Sequence, residues 1–182
     1  MGRRVEGKAK LAPVVPFVAL AATSSPGHAS EAPPEQFTTA PAFRVLIPGR
    51  VGDVVRRRLA GAQRRLNQPR CQSVLHEFSD AAGRPLVQRL EELGFTAQSY
   101  LGHLLFDSGR AVRPCASKKV LAVTNPGSPV VFLCPQFGEV AHFDPVEAEL
   151  VLIHEMLHTL GLGESPPSSL EITNRVERRC RR

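Results

Sequence analysis

The sequence predicts an α+β domain in which helices pack on a mixed β-sheet. Apolar residues recur at helical spacing in several segments, and short apolar runs bounded by Gly, Pro and Asn lie between them. Their order, a strand, a helix, a strand, a helix, further strands and then a helix, is typical of a sheet covered by helices. The chain has 182 residues, of which 42% are hydrophobic. This composition suits one domain with a buried core and excludes disorder throughout.

Five short apolar runs predict the strands, and they lie at residues 43–47, 71–78, 101–106, 119–124 and 129–134. The last two runs are joined by Asn125-Pro126-Gly127-Ser128. Proline at the second position of a turn and glycine at the third favour type II geometry. These two strands are therefore expected to form a hairpin.

Apolar residues at helical spacing predict four helices, at about 51–66, 86–93, 145–160 and 169–176. Gly94 is expected to end the second helix, because glycine tolerates the left-handed conformation that follows helix ends. The third helix has the clearest boundaries. Asp144 can cap its N-terminus, Pro145 suits its first position, and Gly161 supplies the stop.

The first 22 residues predict a signal peptide. A basic stretch precedes an apolar run at 11–22, and Ala19-Leu20-Ala21 is a suitable cleavage site. The run is about 12 residues long, short of the roughly 20 that a spanning helix needs, so no stable membrane insertion is expected. We expect a secreted or periplasmic protein, tethered to a membrane if uncleaved, with a flexible lead-in at 23–41 and a single domain at 42–182.

The formal net charge is +6, and much of the positive charge comes from arginine clusters. The clusters at 56–58 and 64–65 fall on the polar face of a predicted helix, and no aromatic residues are interleaved with them for base stacking. We therefore expect no nucleic-acid partner. We also expect the protein to be a monomer.

The four cysteines are an even count, and no two of them form a C-x-x-C pair. In an exported chain this indicates two disulfides. Three pairings are possible. We expect Cys71 to pair with Cys115, and Cys134 to pair with Cys180 and so fasten the C-terminal tail to the core.

The predicted helix at 145–160 carries the run His154-Glu155-Met156-Leu157-His158. The two histidines are four residues apart, so both rings project from one face of the helix and can bind one divalent ion. Glu155 lies beside the first histidine, where its carboxylate can act as general base on a water that zinc activates. We therefore expect Zn²⁺ as the cofactor and Glu155 as the catalytic residue.

This run resembles the motif of the zincin metallopeptidases. The longer pattern His154-Glu155-x-x-His158-x-x-Gly161-x-x-Glu164 resembles that of their metzincin branch. The resemblance implies a zincin-like fold, and it implies Glu164 as the third zinc ligand, at a position where metzincins usually have histidine. It also implies that residues 130–133 form the edge strand that pairs with an extended peptide substrate.

Glu171 is the rival third ligand, because the gluzincin branch uses a glutamate from a following helix. Glu171 also belongs to Ser168-Ser169-Leu170-Glu171, a capping box that would start the last helix. His142, just before the helix with the motif, is a further candidate. His76 and His103 are expected on strands, with no role in metal binding.

These features predict a small secreted zinc metallopeptidase, a hydrolase of peptide or protein substrates in which His154, His158 and Glu164 bind zinc. The alternative is a catalytically inactive zincin-like module that binds a partner. The short tail after Glu164 supports the alternative. So does the lack of a methionine for the Met-turn of metzincins, since Met1 and Met156 are the only two and Met156 lies inside the motif.

Overall fold

A four-stranded mixed sheet and seven α-helices make up residues 43–182, which the computed structural model describes. The prediction of an α+β domain is confirmed. The predicted signal peptide at 1–22 and the lead-in at 23–41 lie outside the described residues.

The strands are β1 (Arg44–Val45), β2 (Leu105–Ser108), β3 (Ala122–Thr124) and β4 (Val130–Leu133). Their order across the sheet is β1-β2-β4-β3, with β2 parallel to both β1 and β4, and β3 antiparallel to β4. The strand implied as the sheet edge, at 130–133, is therefore wrongly placed. Strand β4 pairs with β2 on one side and with β3 on the other, so the edge strands of the described sheet are β1 and β3.

The helices are α1 (Gly49–Leu66), α2 (Pro69–Gln72), α3 (Leu86–Glu92), α4 (Ala97–His103), α5 (Phe137–Phe143), α6 (Pro145–Thr159) and α7 (Ser169–Cys180). Helix α6 is the centre of the helical layer and packs against α1, α5 and α7. From Ala148 to Thr159 every residue except Val151 is buried. This helix has no solvent-facing stripe over that length, so its polar side chains lie inside the domain.

The predicted ends of α6 and the predicted hairpin are confirmed. The Asp144 side chain accepts a hydrogen bond from the backbone N–H of Glu147 at 3.0 Å, and Gly161 adopts a φ of +105° just after the helix. In the hairpin, Gly127 has a φ of +80° at the third turn position, and the Ser128 N–H donates to the carbonyl of Asn125 at 2.9 Å.

The predicted strand at 71–78 is wrong: this segment forms the end of α2 and a 3₁₀ turn at Ser73–His76. Its buried apolar residues are Cys71, Val74, Leu75 and Phe78. They lie at positions i, i+3, i+4 and i+7, which is the spacing of one helical face and does not fit a strand. Pro69 also suits the start of a helix.

The predicted strand at 101–106 is wrong over its first half for the same reason. Ala97, Tyr100, Leu101 and Leu104 are buried at helical spacing, and α4 runs to His103 before β2 begins. Thr96 and Ser99 cap this helix by a reciprocal pair of hydrogen bonds.

Two disulfides are present, as expected, but the expected pairing is wrong. Cys71 is bonded to Cys180, and Cys115 is bonded to Cys134. The C-terminal helix is fastened to the core through Cys71 because α2 packs against α7, with the two α-carbons 4.5 Å apart. Cys115 faces Cys134 across the segments next to the hairpin, with α-carbons 5.0 Å apart.

A buried ion pair sets how α1 packs on α6. Glu149 of α6 is 7% exposed, and its carboxylate accepts a hydrogen bond from Arg65 Nε of α1 at 2.7 Å. The carboxylate occupies the space beside Gly61, where a Cβ atom would lie 1.9 Å from Glu149 Oε1. Glycine at this position of α1 therefore makes room for the ion pair.

Gly61→Ala is expected to lower the free energy of unfolding by about 1–3 kcal/mol, because an added methyl group overpacks a filled site. The sign of this change tests the steric argument, because replacing glycine by alanine in a helix interior otherwise stabilises a protein by about 0.5–1 kcal/mol. Denaturant unfolding followed by circular dichroism measures the change.

Gly138→Ala in α5 is the matched control, because its new Cβ would meet only Val51, at 3.9 Å. If Gly61→Ala proved as stable as this control, the steric role of the ion pair would be contradicted.

Candidate metal centre

Two buried histidines of α6 turn toward the same point. His154 and His158 are 8% and 4% exposed, and their Nε2 atoms are 3.0 Å apart. The four-residue spacing accounts for this, since side chains at i and i+4 lie on the same helical face.

Glu164 reaches the histidines from the turn after α6. Its Oε1 lies 3.2 Å from His158 Nε2 and 3.8 Å from His154 Nε2. One ligand atom from each of the three residues falls within 4.8 Å of the others. Gly161 allows the chain to turn back toward the histidines after α6, because its φ of +105° is one that residues with a side chain rarely adopt.

The environment of Glu164 keeps its carboxyl group ionised. The neighbouring His154 ring, whose Nε2 lies 3.8 Å from Glu164 Oε1, and then the His158 ring lower the pKa of Glu164 to about 2 from an ordinary value of 4.5. Burial opposes this shift but is the weaker effect. The carboxylate is therefore available as an oxygen donor throughout the neutral range.

Each histidine ring contacts a protein oxygen through its other nitrogen. His158 Nδ1 lies 2.7 Å from the carbonyl oxygen of Leu162. Because a carbonyl only accepts, Nδ1 carries the proton and donates, which leaves Nε2 with its lone pair free. His154 Nδ1 lies 3.1 Å from the hydroxyl oxygen of Thr173 in α7. Such contacts are typical of histidines that bind metals.

The donor set fits a zinc ion. Two nitrogen atoms bound to one tetrahedral zinc at about 2.0–2.1 Å lie about 3.3 Å apart, close to the separation of the two Nε2 atoms. Two imidazoles and a carboxylate are ordinary zinc ligands.

Glu155 is the residue of α6 with a buried side-chain oxygen that lacks a hydrogen-bond partner in the described part of the chain. It is 7% exposed, and its Oε2 atom is buried with no hydrogen-bond partner among residues 43–182. A buried polar oxygen without a partner typically costs about 1–3 kcal/mol. Glu155 lines the same cavity as His154, His158 and Glu164.

That cavity has a volume of about 580 Å³. One wall is the segment at 119–124, which ends in β3, and the floor is α6. The other wall is α7, through Ser169, Thr173 and Val176. The sheet edge and the three candidate ligands therefore open onto one cleft.

The hairpin turn is attached directly to the end of α6. The backbone N–H of Gly127 donates to the carbonyl oxygen of His158 at 2.9 Å, and the N–H of Gly161 donates to the same oxygen at the same distance. This shared acceptor holds β3 beside the histidine pair.

The other candidates lie outside the ligand group. Glu171 forms an ion pair with Arg175 on the same helix. Its N–H donates to the Ser168 side chain at 3.3 Å, which is one half of the predicted capping box; its carboxylate binds Arg175 and does not reach back to the Ser168 N–H. His142 lies exposed on α5 and packs against Phe143.

His76 and His103 were expected on strands, and the structure places them in a 3₁₀ turn and at the end of α4. Two residues that contact the site were missed by sequence analysis: Leu162, through its carbonyl, and Thr173. No sequence pattern marks either one: the contact of Leu162 is made by a backbone carbonyl, which any residue could supply, and that of Thr173 depends on how α7 packs on α6.

No protein-family model matches the chain, and no curated protein or solved structure matches it either. Among residues 43–182, no helix combines the length and the apolar character needed to cross a membrane.

Glu164→Gln is expected to weaken zinc binding by more than the roughly 10–100-fold that the loss of an outer contact causes, because it replaces a charged ligand. Glu171→Gln is the matched control and is expected to bind zinc as the wild type does. Competition with a chromophoric chelator measures both affinities. If Glu171→Gln lost more zinc affinity than Glu164→Gln, Glu171 would replace Glu164 as the candidate third ligand.

Proposed function

We propose that this protein is a secreted zinc-dependent peptidase with a zincin-like site. The observation that carries the proposal is the convergence of His154, His158 and Glu164 at the cleft where the buried Glu155 oxygen has no partner. Two imidazoles, a carboxylate and a free buried base are the groups that metal-assisted hydrolysis of a carbonyl compound requires.

In this proposal His154, His158 and Glu164 hold the zinc ion. Bound zinc would supply Lewis-acid activation, lowering the pKa of a water molecule and polarising the scissile carbonyl. The His158 ring is already held in the tautomer that this role needs, because the carbonyl of Leu162 keeps its proton on Nδ1.

Glu155 is the proposed general base. Its Oε2 atom can accept the proton of the attacking water, and the carboxyl group can then deliver that proton to the leaving amine. Within the described part of the chain, no hydrogen-bond partner competes for this oxygen.

Strand β3 is the proposed docking edge for an extended peptide. It pairs with β4 on one side, and no other described strand pairs with it on the side facing the cleft. An edge strand presents unpaired N–H and C=O groups that can bind a peptide main chain. Because Ala122, Val123 and Thr124 line the cavity, a peptide bound there would pass beside the candidate ligands.

Export is the proposed setting of this activity. Two disulfides and the lack of a spanning helix among residues 43–182 are compatible with it. The predicted signal peptide would supply the route.

Glu155→Gln is expected to lower kcat/KM on a quenched-fluorescent peptide library by about 10²–10⁴-fold, the usual contribution of a general base. Zinc stoichiometry should remain that of the wild type, because Glu155 is not among the ligands. Glu171→Gln, which removes an acid outside the ligand group, should retain activity.

Loss of zinc in Glu155→Gln would show that the residue has a different role. If the wild type bound zinc but cleaved no peptide of the library, the alternative function, a zincin-like binding module, would be supported.

A further inference from the structure

The second wall of the cleft, helix α7, is held rigidly against the rest of the domain. The Cys71–Cys180 disulfide fastens its last residue. Arginine side chains from other segments hold its C-terminal carbonyls: Arg65 Nη1 donates to the carbonyl of Cys180 at 2.7 Å, and Arg70 Nη2 donates to that of Arg178 at 2.8 Å. Residues on the cleft-facing side of α7 therefore have fixed positions.

That side of α7 contacts one of the three candidate ligands directly. Thr173 Oγ1 lies 3.1 Å from His154 Nδ1. One turn earlier, Ser169 lines the same cavity as Glu164. Ser169 and Thr173 are four residues apart, so they share one face of the helix, and both line the cavity.

The two histidines differ in what orients them. His158 is held by the carbonyl of Leu162, four residues away in the turn that follows its own helix. The Nδ1 atom of His154 is contacted by Thr173, which lies 19 residues away on a different helix. The orientation of His154 thus depends on tertiary packing, whereas that of His158 is set locally.

We infer that Thr173 is a positioning residue for metal binding, and that α7 supports His154 through this hydroxyl group. The Thr173 hydroxyl accepts the Nδ1–H of His154, which selects the tautomer with a free Nε2 lone pair and prevents the ring from rotating away. This inference rests on the proposed function, since it assigns Thr173 a role at the proposed zinc site.

A valine at position 173 tests the inference, because it keeps the shape of threonine and removes the hydroxyl. Zinc affinity is measured by chelator competition. Thr173→Val is expected to weaken binding by about 10–100-fold, the usual effect of losing an outer-shell partner of a metal ligand. Thr173→Ser, which keeps the hydroxyl, should restore affinity close to that of the wild type.

Thr124→Val is the matched control. Thr124 lies on the opposite wall of the same cavity, and its buried hydroxyl has no hydrogen-bond partner in the described part of the chain. The same exchange there should leave zinc affinity unchanged. The metal-free Thr173→Val variant should remain folded, with a lowered unfolding midpoint because His154 Nδ1 loses its partner. Should this variant fail to fold, Thr173→Ala provides the same comparison with Thr173→Ser.

The outcomes separate the two proposals. Wild-type zinc affinity in a folded Thr173→Val would overturn the role of Thr173 and leave the zinc site intact. If Thr173→Val and Thr124→Val weakened zinc binding equally, the role of Thr173 would also be overturned, because the lower affinity would then come from the reduced polarity of the cavity. A wild-type protein that bound no zinc would overturn both the proposed function and this inference.

Discussion

Helix α6 is buried on nearly all sides, and it nevertheless carries polar and ionisable side chains. Each polar group buried without a partner typically costs about 1–3 kcal/mol, so the surrounding elements must supply partners. They do so from several directions: Arg65 of α1 bonds Glu149, Leu162 bonds His158, Thr173 of α7 bonds His154, and Tyr100 of α4 donates to the carbonyl of Thr159. The need to give the buried polar groups of α6 hydrogen-bond partners thus determines where the neighbouring elements lie.

Glu155 is the exception, and the contrast with Glu149 shows why. Both are glutamates of α6, both are 7% exposed, and they are six positions apart. Glu149 is paired with an arginine at 2.7 Å, whereas Glu155 Oε2 is buried with no hydrogen-bond partner among residues 43–182. The fold thus neutralises a buried carboxylate on one side of the helix, and on the cleft side it leaves Glu155 as the residue on which the proposed function depends.

Features encoded by neighbouring residues could be predicted from the sequence. The Asp144 cap, the stop at Gly161, the Asn125–Ser128 turn and the convergence of His154 with His158 all depend on spacings of a few residues. The prediction of a strand at 71–78 is wrong although the helical spacing is visible, because the segment also alternates well enough to suggest a strand. The disulfide pairing and the contact of Thr173 with His154 could not be predicted, since each joins helices whose packing is set by the whole core.

The carbonyl oxygen of His158 accepts hydrogen bonds from the N–H groups of both Gly127 and Gly161. One oxygen atom therefore binds both the hairpin turn next to β3 and the turn that carries Glu164. The distance between β3 and the histidine pair is thereby fixed by the backbone. Side-chain substitutions on this wall can alter the lining of the cleft while its backbone stays in place. On the opposite wall the contact with the histidine pair is made by one side chain, that of Thr173, so a protein engineer who changes the lining there should keep this residue.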